Sequence, residues 1–288
     1  MYDSILLPVD GSSGAAEALH HAGEIAHRMA ATIELLYVAD TSRDSVTVVE
    51  TDLVDALVTE GESIVENAAE TLQTLGVEHT TDVVQGTPAP TIVEYADRYG
   101  HDLIVMPTHG RTGLARYLLG SVTEKVVRLS SVPVLTVRLD ADEPLTFPYE
   151  RILVPTDGSS AAMAAAHHGL DLAASLEAAV HVISVVDDQS FGPDVRSTVV
   201  EEELTGIAET AVDDVVAAVE QRDVSELHRH IEHGRPAATI LDTIGSTDSH
   251  AVVMGTTGRR GIDRILLGSV TEKTVRSAAV PVITVAGE

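Results

Sequence analysis

The chain has no cysteine, no tryptophan and two phenylalanines, and Lys125 and Lys273 are its only lysines. Without cysteine there can be no disulfide, no thiolate metal ligand and no cysteine nucleophile. No apolar run is long enough to span a bilayer. The first residues, MYDSILLPVDG, lack the basic region and cleavage site of a signal peptide, so a cytoplasmic location is expected. Basic residues are scarce: 18 Lys and Arg stand against 45 Asp and Glu, a formal net charge of −27. The acid is spread along the chain rather than gathered in a tail. Such a surface disfavours nucleic acid and anionic membranes as partners. Several catalytic signatures are missing as well. There is no G-x-S-x-G elbow, no paired-carboxylate signature and no Walker A loop.

Against these absences stands one stretch that occurs twice. PTHGRTGLARYLLGSVTEK runs from Pro107 to Lys125, and GTTGRRGIDRILLGSVTEK runs from Gly255 to Lys273. Each follows a short apolar run that reads as a buried strand. Glycines then open a turn, and Gly120-Ser121 or Gly268-Ser269 opens a helix. The tetrapeptide S-V-T-E has the form of a capping box, so Ser121 and Ser269 are expected to cap their helices, with Glu124 and Glu272 reaching back. Glycines allow close backbone approach, and a helix N-terminus adds partial positive charge. A phosphate chain suits such a site.

The rest of the chain repeats too. SILLPVDGSS (4–13) matches RILVPTDGSS (151–160), with Asp10 and Asp157 147 residues apart; Val38 and Val185 keep that spacing. QGTPAPTIVE (85–94) matches HGRPAATILD (233–242) one residue further on. The expected organisation is a first domain over 1–140, a linker over 141–149 and a second domain over 150–288. In the first half, strands are expected near 4–9, 33–39, 79–84, 102–106 and 133–138. Helices are expected near 13–30, 52–75, 88–99 and 121–130, and loops at 41–51 and 188–198. Short apolar strands alternating with helices imply an α/β fold, a five-stranded parallel sheet with helices on both faces. With strand order 3-2-1-4-5, the ends of strands one and four flank a crevice that gathers the motifs of each half.

Other residues admit two readings. Nine of the 18 basic residues lie in or beside the two motif segments: Arg111, Arg116, Lys125 and Arg128, with Arg259, Arg260, Arg264, Lys273 and Arg276. They could pair with phosphate or with the surrounding acids, while Arg128 and Arg276 suit a helix C-terminus. Asp10 and Asp157 could serve only as turn formers in D-G-S-S. His109 sits in one glycine loop, but Thr257 replaces it in the other. His228 and His230 share a strand face and His233 takes the other; solvated residues of an edge strand are the reading preferred to a metal site.

The pattern G-x-x-G, nine residues, then G-S, with P-x-D-G-S far upstream, resembles the universal stress protein family over both halves. The resemblance implies two tandem Rossmann-like domains of the adenine nucleotide alpha-hydrolase type, in the branch that binds ATP. It places Asp157 and Val185 at adenine and Gly255 at the ribose, after Met254. Gly258, Gly268, Ser269 and Val270 fall at the phosphates. In the first half it places Asp10, Val38, Met106, Gly110, Gly120, Ser121 and Val122 likewise. Pro107 departs from the pattern, standing where the first glycine belongs and offering no N–H. The implied ligand is ATP, or ADP or AMP, with or without Mg, and the implied role is sensing or regulation in a stress response. The two halves are expected to form an intramolecular pseudo-dimer through 133–138 and 281–285, with a homodimer and an unidentified protein partner as further possibilities. The acidic composition resembles that of halophilic archaeal proteins. The alternatives are a protein-interaction or folding module with structural glycine loops, and a slow ATPase.

Overall fold

The computed structural model describes residues 1–40, 52–108, 119–138, 145–187, 198–219, 222–257 and 267–287. Contacts divide the chain into two units, Tyr2–Glu143 and Pro144–Glu288. Of the loops expected at 41–51 and 188–198, residues 41–51 and 188–197 lie outside the described residues, and Thr198 already belongs to a helix.

In the first unit the order is β1 (Ser4–Pro8), α1 (Ser13–Met29), β2 (Thr32–Asp40), α2 (Asp52–Thr74), β3 (His79–Gly86), α3 (Pro88–Tyr99), β4 (Leu103–Pro107), α4 (Ser121–Leu129) and β5 (Val134–Val137). The second unit repeats it as β6 (Arg151–Pro155), α5 (Ser160–Leu176), β7 (Ala179–Val186), α6 (Thr198–Val219), β8 (Glu226–His233), α7 (Pro236–Ser246), β9 (Ala251–Gly255), α8 (Ser269–Ser277) and β10 (Val282–Val285). Within the units the strands run β3-β2-β1-β4-β5 and β8-β7-β6-β9-β10. All the pairings inside each unit are parallel.

Burial explains which strand goes where. Ile5, Leu6 and Leu7 of β1 and Leu103, Ile104 and Val105 of β4 are fully buried, as are Ile152, Leu153 and Val154 of β6. Such runs need cover on both faces and so occupy the centre. The outer strands β3 (HTTDVVQG) and β8 (ELHRHIEH) hold half-buried and exposed residues only. Their polar side chains suit an edge.

The first helix of each unit starts at the D-G-S-S turn. Asp10 Oδ1 accepts the Ser12 N–H at 3.0 Å, and Asp157 Oδ1 accepts that of Ser159 at 3.0 Å. Gly11 and Gly158 take φ of 74° and 73°, a region glycine enters without steric cost. Ser12 Oγ then accepts the Ala15 N–H, and Ser159 Oγ that of Ala162, so both serines are N-caps.

Candidate functional site

The sheet of each unit opens at one place. β1 pairs with β2 from Ser4↔Thr32 to Pro8↔Leu36, but with β4 only at Ile5↔Leu103 and Leu6↔Ile104. Beyond that point β1 and β4 part, and their carboxyl ends become the lips of a crevice. In the second unit β6 pairs with β9 only at Ile152↔Ala251 and Leu153↔Val252, while its pairing with β7 continues to Pro155↔Ile183. This is the strand-order reversal at which open α/β sheets bind ligands.

Proline and glycine at the lips follow from hydrogen-bond direction. Val9 N–H donates to the Leu36 carbonyl at 2.9 Å. Backbone groups alternate sides along a strand, so residue 8 faces β4, where no acceptor remains. Pro8 has no N–H to leave unpaired. Thr108 N–H donates to Val137 on β5 at 2.8 Å, which turns residue 107 toward β1. Pro107 therefore costs the sheet no hydrogen bond. By the same alternation Thr156 N–H, on Ile183, leaves Pro155 facing β9, and Thr256 N–H, on Val285, leaves Gly255 facing β6. Of the four lip positions, Gly255 alone carries an N–H.

The floor of each crevice ends at a helix N-terminus. Gly120 N–H donates to the Thr108 carbonyl at 2.7 Å, and Thr123 Oγ1 donates to the Pro107 carbonyl at 2.8 Å. In the second unit Gly268 N–H donates to Thr256 at 2.8 Å and Thr271 Oγ1 to Gly255 at 2.7 Å. These bonds tie the helix start to the strand end in the same way twice.

They also correct the expected capping box. The N-caps are Gly120 and Gly268, at φ −59°, ψ 139° and φ −61°, ψ 140°, and no side chain caps either helix. Ser121 and Ser269 are already the first helical residues. Glu272 does not reach back; its carboxylate meets Arg276 at 2.6 Å. The glycine takes the cap position because the chain there presses on the strand end: a Cβ on Gly268 would lie 3.2 Å from the Thr256 carbonyl oxygen. The first intrahelical bonds run from Glu124 N–H to Gly120 and from Glu272 N–H to Gly268, each 2.8 Å. The amides of Ser121, Val122 and Thr123, and of Ser269, Val270 and Thr271, thus have no intrahelical acceptor. With the helix dipole they form an anion-binding cradle.

The other expected site residues divide by role. Asp10 is half-buried and Asp157 exposed, and each closes its turn through Oδ1. The turn-forming role is therefore present in both. Val38 and Val185 are half-buried between buried neighbours, two residues past the last rung of β1 or β6. They offer an apolar surface beside each crevice. Met106 and Met254 are buried and belong to the strands that carry the loops. Gly110 and Gly258 lie outside the described residues, as do His109, Arg111, Arg116, Arg259, Arg260 and Arg264. Arg128 and Arg276 stand in the last turns of α4 and α8, as expected for cations facing a helix C-terminus.

Two features escaped the sequence reading. The N-cap serines are Ser12 and Ser159, for which the position just before a helical period was the available signal. His181 of β7 is the second: it stacks on His228 at 4.5 Å and meets His230. Among the described residues no group of three or more His, Asp or Glu is placed to hold a metal ion. No described helix is long and apolar enough to cross a membrane.

The chain matches the universal stress protein family over residues 1–138 and 148–286. It is 38% identical over 141 residues to universal stress protein MJ0531 of Methanocaldococcus jannaschii, covering 48% of this chain and 83% of that one. It is 32% identical over 235 residues to universal stress protein Rv2005c of Mycobacterium tuberculosis, covering 78% of this chain and 76% of the relative. Among solved structures, a universal stress protein from Archaeoglobus fulgidus aligns over 99% of this chain and 96% of its own, with a TM-score of 0.73 and 25% identity.

Proposed function

The chain belongs to the universal stress protein family, and from that premise we propose that each unit binds an adenine nucleotide in its crevice, in a sensing or regulatory role. One observation carries the reading: two helix N-termini, each with an uncapped first turn, stand at the ends of strands that have parted. In this reading the phosphates lie on the amides of Ser121, Val122 and Thr123, or of Ser269, Val270 and Thr271. The base packs against Val38 or Val185, near Asp10 or Asp157. Among the described residues the donor set is backbone N–H and hydroxyl, which fits a polyphosphate. The described residues offer the bound phosphates no evident general base, so retention rather than rapid turnover is the expected behaviour.

Proline substitution tests the cradle directly. Proline is favoured at the first helical position, and Gly268 already has the extended conformation that a residue before proline adopts. Ser269→Pro removes one amide and one hydroxyl while preserving the helix, and Ser121→Pro does so in the first unit. Calorimetric titration of the full chain with ATP, ADP and AMP should show two sites, one weakened in each variant and both in the double variant. Absence of nucleotide binding, or unchanged affinity in a folded double variant, would leave the glycine loops a structural role and favour an interaction module.

A further inference from the structure

The outer part of the second unit carries imidazoles where the first carries carboxylates. His181 of β7 pairs in register with His228 of β8, and Ile183 with His230. The matching pairs in the first unit are Glu34 with Thr80 and Leu36 with Asp82. There Tyr95 Oη lies 2.5 Å from Glu34 Oε1 and 2.9 Å from Asp82 Oδ2, and His101 Nε2 lies 3.0 Å from Glu34 Oε2. At the positions of Tyr95 and His101 the second unit has Thr243 and Ser249, 148 residues on. Their hydroxyls bond close by, Thr243 to the Thr239 carbonyl and Ser249 to Thr247.

The imidazoles turn to each other instead. His181 Nδ1 and His230 Nε2 are 3.0 Å apart, with ring centroids 5.3 Å apart and planes inclined by 24°. The centroid separation exceeds the nitrogen separation by two ring radii, so the nitrogens meet head-on. A tetrahedral metal bound by both would hold them about 3.3 Å apart, with lone pairs converging at an angle. A head-on contact at hydrogen-bond length is the geometry of one shared proton. That bond needs one bare nitrogen. Charging both rings sets N–H against N–H.

We infer that the His181–His230 pair is an acid-sensitive latch. It holds β8 to β7 while it shares a proton, and full protonation releases β8 before the rest of the second unit opens. His181 is only 8% exposed, whereas β8 is half-open to water, so the released strand is the outer one.

The surroundings do not neutralise a charge on His181. From β8 it faces His228, His230 and Glu226, whose carboxylate is 3.2 Å from His228 Nε2 and whose attraction is the weakest of these influences. From β6 it faces Arg151, which adds repulsion. Glu232 favours protonation of His230, and His228 opposes it. Asp242, the one charged residue of α7, is exposed. Arg229, on the other face of β8, pairs with Asp213 of α6. Burial first, then His228, His230 and Arg151, push His181 down from 6.5 to about 4. Burial also lowers His230. A folded-state value below the unfolded one means stability that is full above about pH 6.5 and is lost as pH falls toward about 4.

Hydrogen exchange on the full chain in molar salt tests the latch, with β3 as internal reference. Corrected for intrinsic rates, the opening constant of β8 amides should rise by close to tenfold per pH unit below about pH 6, the limit for uptake of one proton. β3 should stay flat. His181→Leu or His230→Leu should abolish that slope, and His228→Gln, which removes a repulsion, should end the rise at a higher pH. If His181→Leu does not fold, His230→Leu decides. A β8 that stays pH-independent in the parent chain, or keeps its slope in folded His230→Leu, would overturn the inference.

Discussion

A Cβ on Gly255 would stand 2.7 Å from the carbonyl carbon of Ala161 and 2.9 Å from the amide nitrogen of Ala162. The glycine that ends β9 is therefore required by the start of α5, whatever else it does for a ligand. In the first unit the residue in the place of Gly255 is Pro107, and the residue in the place of Ala161 is Gly14. The bulk has changed sides. Where the strand end carries a ring, the helix start has lost its Cβ.

The contact at Gly255 predicts a cost. Gly255→Ala should destabilise the second unit by about 1–3 kcal/mol, the usual cost of overpacking against atoms that cannot move aside. The atoms met are the backbone of Ala161 and Ala162, which Ala161→Gly leaves in place, so that second change should return none of the loss and the two should add in a double-mutant cycle. Denaturant unfolding of the four chains measures it. A Gly255→Ala chain as stable as the parent would show that the contact is not what excludes a side chain at 255.

The strand and helix periods and the 147-residue offset carried the architecture, because buried strands and amphipathic helices write their period into apolar residues. The motif repeats pointed to the crevice for the same reason: they fall at strand ends. What stayed hidden depended on backbone direction and on partners distant in sequence. Ser269 and Glu272 have the spacing of a capping box, but Gly268 occupies the cap because it packs on Thr256. Pro107 reads as a defect in a glycine motif. Only the hydrogen bond of Thr108 N–H to Val137 shows that residue 107 faces away from β5 and leaves no donor unpaired there. His181, one histidine among 13, acquires its partner from a strand some fifty residues away.

Tyr95 should be a stability residue of the first unit. Its hydroxyl lies between Glu34 and Asp82, and Tyr95 is 8% exposed. Burial and the two carboxylates raise its pKa, so it stays a donor throughout the physiological range. Tyr95→Phe would leave two acceptors facing each other without a shared proton. The expected loss is about 1–3 kcal/mol, read as a lower denaturation midpoint with an unchanged slope. A loss below about half a kilocalorie would mean that water replaces the hydroxyl.

Salt should stabilise the whole chain. With a net charge of −27, the unfavourable term is repulsion among carboxylates. Raising ionic strength from 0.1 M to 1 M shortens its range from about 10 Å to about 3 Å. The melting temperature should therefore climb over that interval, with sodium and potassium chloride acting alike if screening is the cause. A flat melting temperature would show that the acidic groups are too well separated, or too well paired, to repel.

The two crevices should differ in affinity, and Ser121→Pro and Ser269→Pro can show it within the intact chain. Both cradles present the same three amides, so phosphate binding alone predicts equal sites. The lips differ. Gly255 turns an N–H toward the β6 side of its crevice, whereas Pro107 has none to turn. One hydrogen bond to a nucleotide is worth on the order of 1 kcal/mol, or about fivefold in affinity. Ser121→Pro weakens the first crevice and leaves the second to be measured; Ser269→Pro does the reverse. The remaining strong site should be about fivefold tighter in Ser121→Pro. Equal affinities would mean that the Gly255 amide does not reach the ligand. A tighter site in Ser269→Pro would mean that the ring of Pro107, packed against the sugar, more than replaces the lost donor.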